Sequence, residues 1–347
     1  MASRNAVQDP QLRSEDNKRP GVFYAFTCDG FELPVVDVTH PAFAASITGT
    51  EHRTLVEKFL RDGIPLANLP KPLRELALRF LLRQSVLAQG IDQARNSFMS
   101  GMQTYLLKLG PEMLGSACAH PIDRQIASAF PSFCVRIRLQ DMAQLTADTL
   151  TPLLSDDPQR SLRFVNIAGG PAMDSLNAII LMDRNRPGIL SLREIEIDVL
   201  DLDESGPAFG ESALEALSQS NGPLHDLRIT LRHLPYNWAR AGDLTGLMKK
   251  SKLEHPITIC SSEGGLFEYG SDEEIVSNLN ALRGQRDVVA VIGSVTRADE
   301  PIQQMRKAAT AKTRPRGLAV LRNLISPTGW TLDRVIERPF SDQVVLK

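Results

Sequence analysis

The chain has 347 residues, of which 42% are hydrophobic and 23% are charged, and its formal net charge at pH 7 is −2. This composition is that of a globular protein with a hydrophobic core, and the length suffices for one large domain with an appendage or for two domains. The slightly acidic balance argues against general nucleic-acid binding, which needs a basic face. No apolar run approaches the roughly 18 residues of a membrane-spanning helix, so no membrane association is predicted.

The N-terminus is polar and lacks the apolar stretch of a secretory signal, so residues 1–20 are expected to form a disordered leader and the protein to be cytoplasmic. The four cysteines are widely spaced and form no CxxC pair (Cys28, Cys118, Cys134, Cys260). Neither a zinc site nor a disulfide framework is therefore indicated, and no metal is expected.

The next part of the chain predicts a mainly helical region. Gly21–Phe43 is rich in aromatic residues and predicts a short strand pair or an extended segment over the body of the protein. From His52 to Leu109 apolar residues recur every three or four positions, and Gly63, Gly90 and Gly110 stand where three helices would end. One more helix is predicted from Leu139 to Leu154.

From Leu162 onwards the pattern changes to strands that alternate with helices or loops. Five strand-like runs follow one another, at 162–168, 192–202, 226–234, 256–262 and 288–295. Such alternation predicts parallel strands joined by helical crossovers. Thr331–Lys347 reads as two strands with a short connection, which must be antiparallel.

The predicted fold class is α/β, with a doubly wound, mostly parallel seven-stranded sheet, a C-terminal antiparallel hairpin and an N-terminal helical region. The expected domains are the leader at 1–20, an aromatic segment and helical cap at 21–138, and a Rossmann-like domain at 139–347.

The segment Phe164–Asn177 (FVNIAGGPAMDSLN) indicates a ligand site, because it reads as a strand, a glycine turn and a helix start. A turn of this kind lets a ligand approach bare backbone, and an acid at the end of the next strand, Ile195–Glu204, is suited to ribose hydroxyls. The run does not fit the G-x-G-x-x-G spacing of a dinucleotide site. A cofactor that carries a nucleoside is therefore expected.

The strand and turn resemble motif I of class I S-adenosylmethionine-dependent methyltransferases, and the similarity covers about Leu139 to Lys347, including the terminal hairpin. The resemblance implies S-adenosylmethionine as cofactor, with the turn of Ala168, Gly169 and Gly170 against its methionine part. It implies Asp201 or Asp203 as the ribose acid, with Asp201 preferred; a solvated strand-end turn is the alternative.

The chain departs from the family pattern at two positions. Asn166 replaces the acid of motif I and would still contact the cofactor through hydrogen bonds, and Ala172 replaces the last glycine.

The same resemblance implies further contacts beyond the third and fourth strands. Asn237 and Trp238 would meet the adenine, unless they only anchor their loop. The loop Cys260–Tyr269 emerges at the carboxyl end of its strand, where ligands bind in such sheets. Its Ser261 would touch the cofactor, Glu263 would orient or deprotonate an acceptor, and Tyr269 would act as a base or hydrogen bonder.

Two candidates lie in the N-terminal region. Arg138, preferred over Arg136, would meet the cofactor carboxylate, with a surface arginine as the alternative. His40 would serve as a base on the acceptor side if the aromatic segment covers the site; a structural role beside Pro41 is the alternative.

The leading functional hypothesis is methyl transfer to a small-molecule acceptor. A homodimer is a possible assembly. The alternatives are another reaction of the same cofactor, such as a cyclisation, a catalytically silent ligand-binding or scaffold protein, and a nicotinamide-dependent oxidoreductase. The last is disfavoured by the glycine spacing and the final hairpin.

Overall fold

The structure is a computed structural model, and it describes residues 18–45, 84–94, 97–115, 120–299 and 312–347, with the isolated positions 54, 57, 70, 72, 73, 118, 302 and 303. Between His52 and Leu81, where the sequence predicts helices, the structure describes only the isolated positions, Pro70 and Pro72 among them; the rest of this prediction lies outside the described residues.

Seven strands form one sheet. They are β3 (Leu162–Ile167), β4 (Glu194–Asp201), β5 (Arg228–Pro235), β6 (Ile257–Ser262), β7 (Val288–Thr296), β8 (Leu332–Ile336) and β9 (Ser341–Leu346). Their order across the sheet is β5-β4-β3-β6-β7-β9-β8. β3 to β7 are parallel, whereas β9 runs antiparallel between β7 and β8. The predicted fold class, including the terminal hairpin, is confirmed.

Helices cover both faces of this sheet. They are α1 (Val86–Gln93), α2 (Gly101–Leu109), α3 (Pro121–Ser128), α4 (Phe130–Asp156), α5 (Met173–Asn185), α6 (Ser205–Leu217), α7 (Ala241–Met248), α8 (Leu266–Tyr269), α9 (Asp272–Arg283) and α10 (Gly317–Ile325). α4, α5 and α6 bury their apolar sides on one face, and α7, α9 and α10 on the other. Two hydrophobic layers thus enclose the sheet, as expected for strands buried on both sides.

The aromatic N-terminal segment forms the strand pair that the sequence suggested. β1 (Tyr24–Phe26) pairs antiparallel with β2 (Glu32–Pro34). The Tyr105 hydroxyl on α2 donates to the Pro34 carbonyl at 2.6 Å, and the Asn177 side chain on α5 accepts from the Val38 N–H at 2.7 Å. The segment is therefore attached both to a cap helix and to a helix of the sheet domain.

Three helix boundaries differ from the sequence prediction. Gly90 lies inside α1 rather than at its end, and the helix predicted from Ile91 to Leu109 is broken after Gln93. It resumes at Gly101 because Ser100 caps the new helix and forms a reciprocal capping box with Gln103. α4 begins at Phe130, well before the predicted Leu139, so the expected domain boundary at 138/139 falls inside a continuous helix.

Within the described part of the chain, no helix has the length and hydropathy needed to span a bilayer. The same part holds no group of three or more His, Cys, Asp or Glu side chains placed to bind a metal ion.

Candidate functional site

The glycine turn lies at the carboxyl end of β3, at the centre of the sheet. Ala168, Gly170 and Ala172 all have positive φ, at 54°, 50° and 55°. Two alanines in the left-handed region carry a backbone strain that the surrounding structure must support. The Ala168 N–H donates to the Leu200 carbonyl on β4 at 2.7 Å, which ties the turn to the neighbouring strand.

Asp201 closes this turn from the end of β4. One of its carboxylate oxygens accepts from the Gly170 N–H at 3.0 Å, and the other accepts from the Asp203 N–H at 3.0 Å. Each oxygen keeps a lone pair for a further donor. Burial raises the pKa of Asp201, although these backbone hydrogen bonds oppose the rise. Asp203 instead accepts from the hydroxyl and N–H of Ser205 at the start of α6.

Three backbone segments meet at the turn without side chains between them. A Cβ placed on Gly101, the first residue of α2, would lie 2.6 Å from the Gly170 Cα, and one placed on Gly206 would lie 2.8 Å from the same atom. The first turns of α2 and α6 therefore pack directly on the glycine turn, which explains why all three positions are glycine.

Beneath the turn, Asn166 is part of a buried polar network. Its Nδ2 donates to Asp174 and to the Ser261 Oγ, both at 2.8 Å, and its Oδ1 accepts from the Ser175 hydroxyl at 3.1 Å. The Ser261 hydroxyl donates to the other oxygen of Asp174 at 2.6 Å. Asn166 and Ser261 are thus brought together, and Asp174 joins them.

A buried ion cluster lies beside this network. The Lys108 Nζ on α2 is 2.5 Å from the Glu263 Oε2, and the side chains of this pair are only 5% and 9% exposed. Arg138 on α4 reaches Glu263 at 3.3 Å and Glu268 at 3.2 Å. Glu268 also accepts from the Thr296 hydroxyl at 3.3 Å. The predicted candidates Arg138 and Glu263 are therefore in contact with each other.

Charge pairing sets the protonation states in this cluster. Burial alone would raise the pKa of Glu263, but Lys108 and Arg138 together hold it below its ordinary value. Burial raises the pKa of Glu268 even though Arg138 opposes the rise. Glu263 is accordingly a stable anion and a poor proton acceptor.

An aromatic group borders the cluster on its outer side. Phe98 makes edge-to-face contacts with Trp238 and Tyr269, with ring centroids 5.9 Å and 6.2 Å apart. Burial and the Glu268 carboxylate raise the pKa of Tyr269, so this phenol is protonated at neutral pH. Asn237 uses its Oδ1 to accept from the Ala239 N–H and so caps the 3-10 turn that begins at Trp238.

His40 lies on the N-terminal segment, apart from the other candidates. Its Nδ1 accepts from the Ala42 N–H, its Nε2 lies 3.2 Å from the Pro20 carbonyl, and its ring contacts Phe43. Among the described residues these contacts are local, and none joins His40 to the glycine turn or the ion cluster.

The sequence interpretation missed three members of this site. Lys108 lies in the apolar helical segment TYLLKLG, and its only signal in the sequence is that it is an isolated lysine there. No sequence signal singles out Asp174, which lies in the first turn of α5, and Phe98 lies within the stretch predicted as one helix from Ile91 to Leu109. Glu268, in the loop Cys260–Tyr269, is buried against Arg138.

No protein-family model matches the chain, and no curated protein matches it. Similar solved structures include magnesium protoporphyrin IX methyltransferase from Synechocystis with bound SAH, at 15% identity and a TM-score of 0.37, covering 61% of this chain and 85% of that chain. The mitomycin 7-O-methyltransferase MmcR has 13% identity and a TM-score of 0.40, covering 80% and 73%. Human N-acetylserotonin methyltransferase in complex with SAM has 14% identity and a TM-score of 0.35, covering 75% and 65%.

Identities this low say nothing about the activity of this chain. The fold is given by its own topology. The strand order β5-β4-β3-β6-β7-β9-β8, with β9 antiparallel between β7 and β8, is the fold of class I S-adenosylmethionine-dependent methyltransferases.

Proposed function

We propose that the chain binds S-adenosylmethionine at the glycine turn and transfers its methyl group to a small-molecule acceptor. The observation that carries the proposal is the junction of Gly170 and Asp201, where a turn with bare backbone and a partly buried acid meet at the carboxyl edge of a parallel sheet.

The residues at this edge fit the cofactor chemically. Asp201 keeps lone pairs for ribose hydroxyls, and the neighbouring Leu202, 56% exposed, offers an apolar surface. Trp238 and Phe98 would face the adenine, and Ala168, Gly169 and Gly170 would face the methionine part.

In this proposal the chain's own groups act by alignment and electrostatics. When bound, the cofactor supplies a methyl group already activated on a sulfonium. Glu263 stays ionised and fixes Lys108 and Arg138, so its role is to orient rather than to take a proton. Tyr269 stays protonated and would donate a hydrogen bond to the acceptor.

The segment that includes α2 supports a small acceptor. Gly101 contacts the glycine turn, Lys108 reaches the loop after β6, and Phe98 contacts Trp238 and Tyr269. One short stretch of chain therefore covers the carboxyl edge from β3 to β6, which favours a shielded acceptor over an extended macromolecule. The cytoplasmic location, the homodimer and the role of His40 stay predictions.

Calorimetric titration with S-adenosylmethionine, S-adenosylhomocysteine and NADH tests the cofactor. We expect micromolar binding of the first two and none of NADH. Binding of NADH alone would place the protein among oxidoreductases instead. Product analysis with a bound acceptor separates methyl transfer from another reaction of the same cofactor.

Asp201→Ala and Asp203→Ala form a matched pair for the ribose assignment. We expect Asp201→Ala to weaken S-adenosylmethionine binding by about 1–3 kcal/mol, the cost of a lost hydrogen bond to a charged group. Asp203→Ala removes an acceptor used by Ser205 and should affect binding less. Equal, unimpaired binding by both variants would contradict the assignment.

A further inference from the structure

Asp174, near the start of α5, is a buried carboxyl for which the proposed function has no role. It is 3% exposed, and its oxygens accept from the Asn166 Nδ2 at 2.8 Å and from the Ser261 hydroxyl at 2.6 Å. These partners and the Ser175 backbone, which also hydrogen-bonds it, are uncharged, so within the described part of the chain no cation is hydrogen-bonded to this carboxyl. The acid usual in motif I is missing at Asn166, and Asp174 places a carboxylate against that asparagine.

The charged groups around Asp174 come from four elements and do not balance. Lys108 faces it from α2 and Glu263 from the loop after β6; behind Glu263 stand Arg138 on α4 and Glu268 on α8. Asp174 and the four side chains of the ion cluster together comprise two cations and three carboxyl groups. With every carboxyl ionised, the buried cluster carries a charge of −1.

Burial first, and the Glu263 charge second, raise the pKa of Asp174 to about 6, while Ser261 and Lys108 oppose the rise. The carboxyl is therefore mostly ionised at pH 7.5 and mostly protonated at pH 5.5. An unbalanced buried anion is costly, and a cation brought next to it removes that cost.

We propose that Asp174 is a specificity-determining residue that makes the site select the positively charged sulfonium over the neutral thioether. S-adenosylmethionine carries one positive charge more than S-adenosylhomocysteine, which matches the missing charge of the cluster. Loss of the methyl group then removes this attraction and favours product release. The inference rests on the proposed function, since it requires the cofactor to bind at this edge of the sheet.

Calorimetric titrations of the whole protein with both ligands at pH 7.5 and pH 5.5 test the inference. If the ionised form of Asp174 binds the sulfonium, affinity for S-adenosylmethionine should fall about fourfold at pH 5.5, the ratio of the ionised fractions for a pKa of about 6. Affinity for S-adenosylhomocysteine should change little. An unchanged ratio of the two dissociation constants would overturn the inference.

Asp174→Asn should lower the affinity for S-adenosylmethionine about tenfold, leave that for S-adenosylhomocysteine nearly unchanged, and abolish the pH dependence. Asp123→Asn is the matched control. Asp123 is equally buried at 1% exposure and also accepts from a serine hydroxyl, but it lies on α3 outside the cluster. Loss of selectivity in both variants would contradict a specific role of Asp174.

A readout that needs no variant guards against misfolding of Asp174→Asn. Titration of the unmodified protein near pH 6 in two buffers of different ionisation enthalpy should show proton release on binding S-adenosylmethionine but not S-adenosylhomocysteine. Equal proton release with both ligands, or none with either, would overturn the inference. If neither ligand binds at any pH, the proposed function itself fails, and this result is distinct from binding without selectivity.

Discussion

Lys108 and Glu263 are a buried ion pair that joins the cap to the sheet domain. Removing one partner of such a pair leaves the other charge buried, which typically costs about 3–5 kcal/mol. Because Arg138 still contacts Glu263, we expect Lys108→Met to fall at the lower end of this range in urea unfolding at neutral pH.

The double variant Lys108→Met/Glu263→Gln removes both charges and should be less destabilised than the sum of the single variants. Arg228→Ala, from the ion pair with Glu194 whose side chains are 54% and 56% exposed, serves as the surface control. It should change the free energy of unfolding by less than about 1 kcal/mol. Additive losses in the double variant would mean that the two side chains do not interact.

Asp174 should also give the free protein a pH-dependent stability. Its pKa is raised from 3.8 to about 6 by burial and by Glu263, so the folded state holds this proton more tightly than the unfolded chain. The contribution of Asp174 to the free energy of unfolding is therefore present at low pH. It is lost as the pH rises from about 4 to 6, and the loss is on the order of 1–3 kcal/mol.

Urea unfolding of wild type and Asp174→Asn across this pH interval measures the effect. The difference between their free energies of unfolding isolates Asp174, because the other titratable groups contribute equally to both proteins. We expect the variant to lose less stability than wild type as the pH rises. An identical pH profile for both proteins would mean that the Asp174 proton is bound equally in the folded and unfolded states.

At the level of elements, the contact of α2 with the glycine turn depends on missing side chains. A Cβ at Gly101 would lie 2.6 Å from the Gly170 Cα, so Gly101→Ala must push α2 away from the turn. We expect a loss of about 1–3 kcal/mol, as for other overpacked sites. In α7, a Cβ at Gly246 would meet nothing within 4 Å. Gly246→Ala should therefore stabilise the protein by about 0.5–1 kcal/mol, and a loss of similar size in both variants would contradict the steric argument.

Local patterns predicted the elements well, because hydrophobic period and turn residues lie within one short stretch of sequence. The run S-D-E-E at Ser271–Glu274 is typical of a capping box, and both of its hydrogen bonds form in the structure. The alternation of strands and helices likewise predicted the parallel strands at the centre of the sheet. The break before Gly101 was missed, because the apolar period continues across it and only Ser100 marks the new start.

The ion cluster was not predictable in the same way. Lys108 and Glu263 are 155 positions apart, and only the packing of α2 over the sheet brings them together. A lysine in a helix is usually exposed, and no neighbouring residue distinguishes this one. The position of Asp201 beside the glycine turn was predictable, because it depends only on the end of one strand and the turn that follows its neighbour.

For the whole molecule, the N-terminal region and the sheet share one hydrophobic core. The core contains Ala25 and Leu33 of the strand pair, Leu107 of α2, and Phe164 and Ile197 of the central strands. Parts of a chain that bury their apolar surfaces in a common core are expected to unfold together. We therefore predict one cooperative transition, although the sequence suggested a cap separate from the sheet domain.

Two probes test this cooperativity in a single urea titration. Both tryptophans, Trp238 and Trp330, lie in the part predicted as the sheet domain, so their fluorescence reports that part, whereas far-UV circular dichroism reports the whole chain. Their midpoints should coincide. Tyr105→Phe, which deletes the hydroxyl bonded to Pro34, should shift both curves together by about 0.5–1.5 kcal/mol. A circular dichroism transition that precedes the fluorescence change, and that alone moves in Tyr105→Phe, would show a cap that unfolds independently of the sheet.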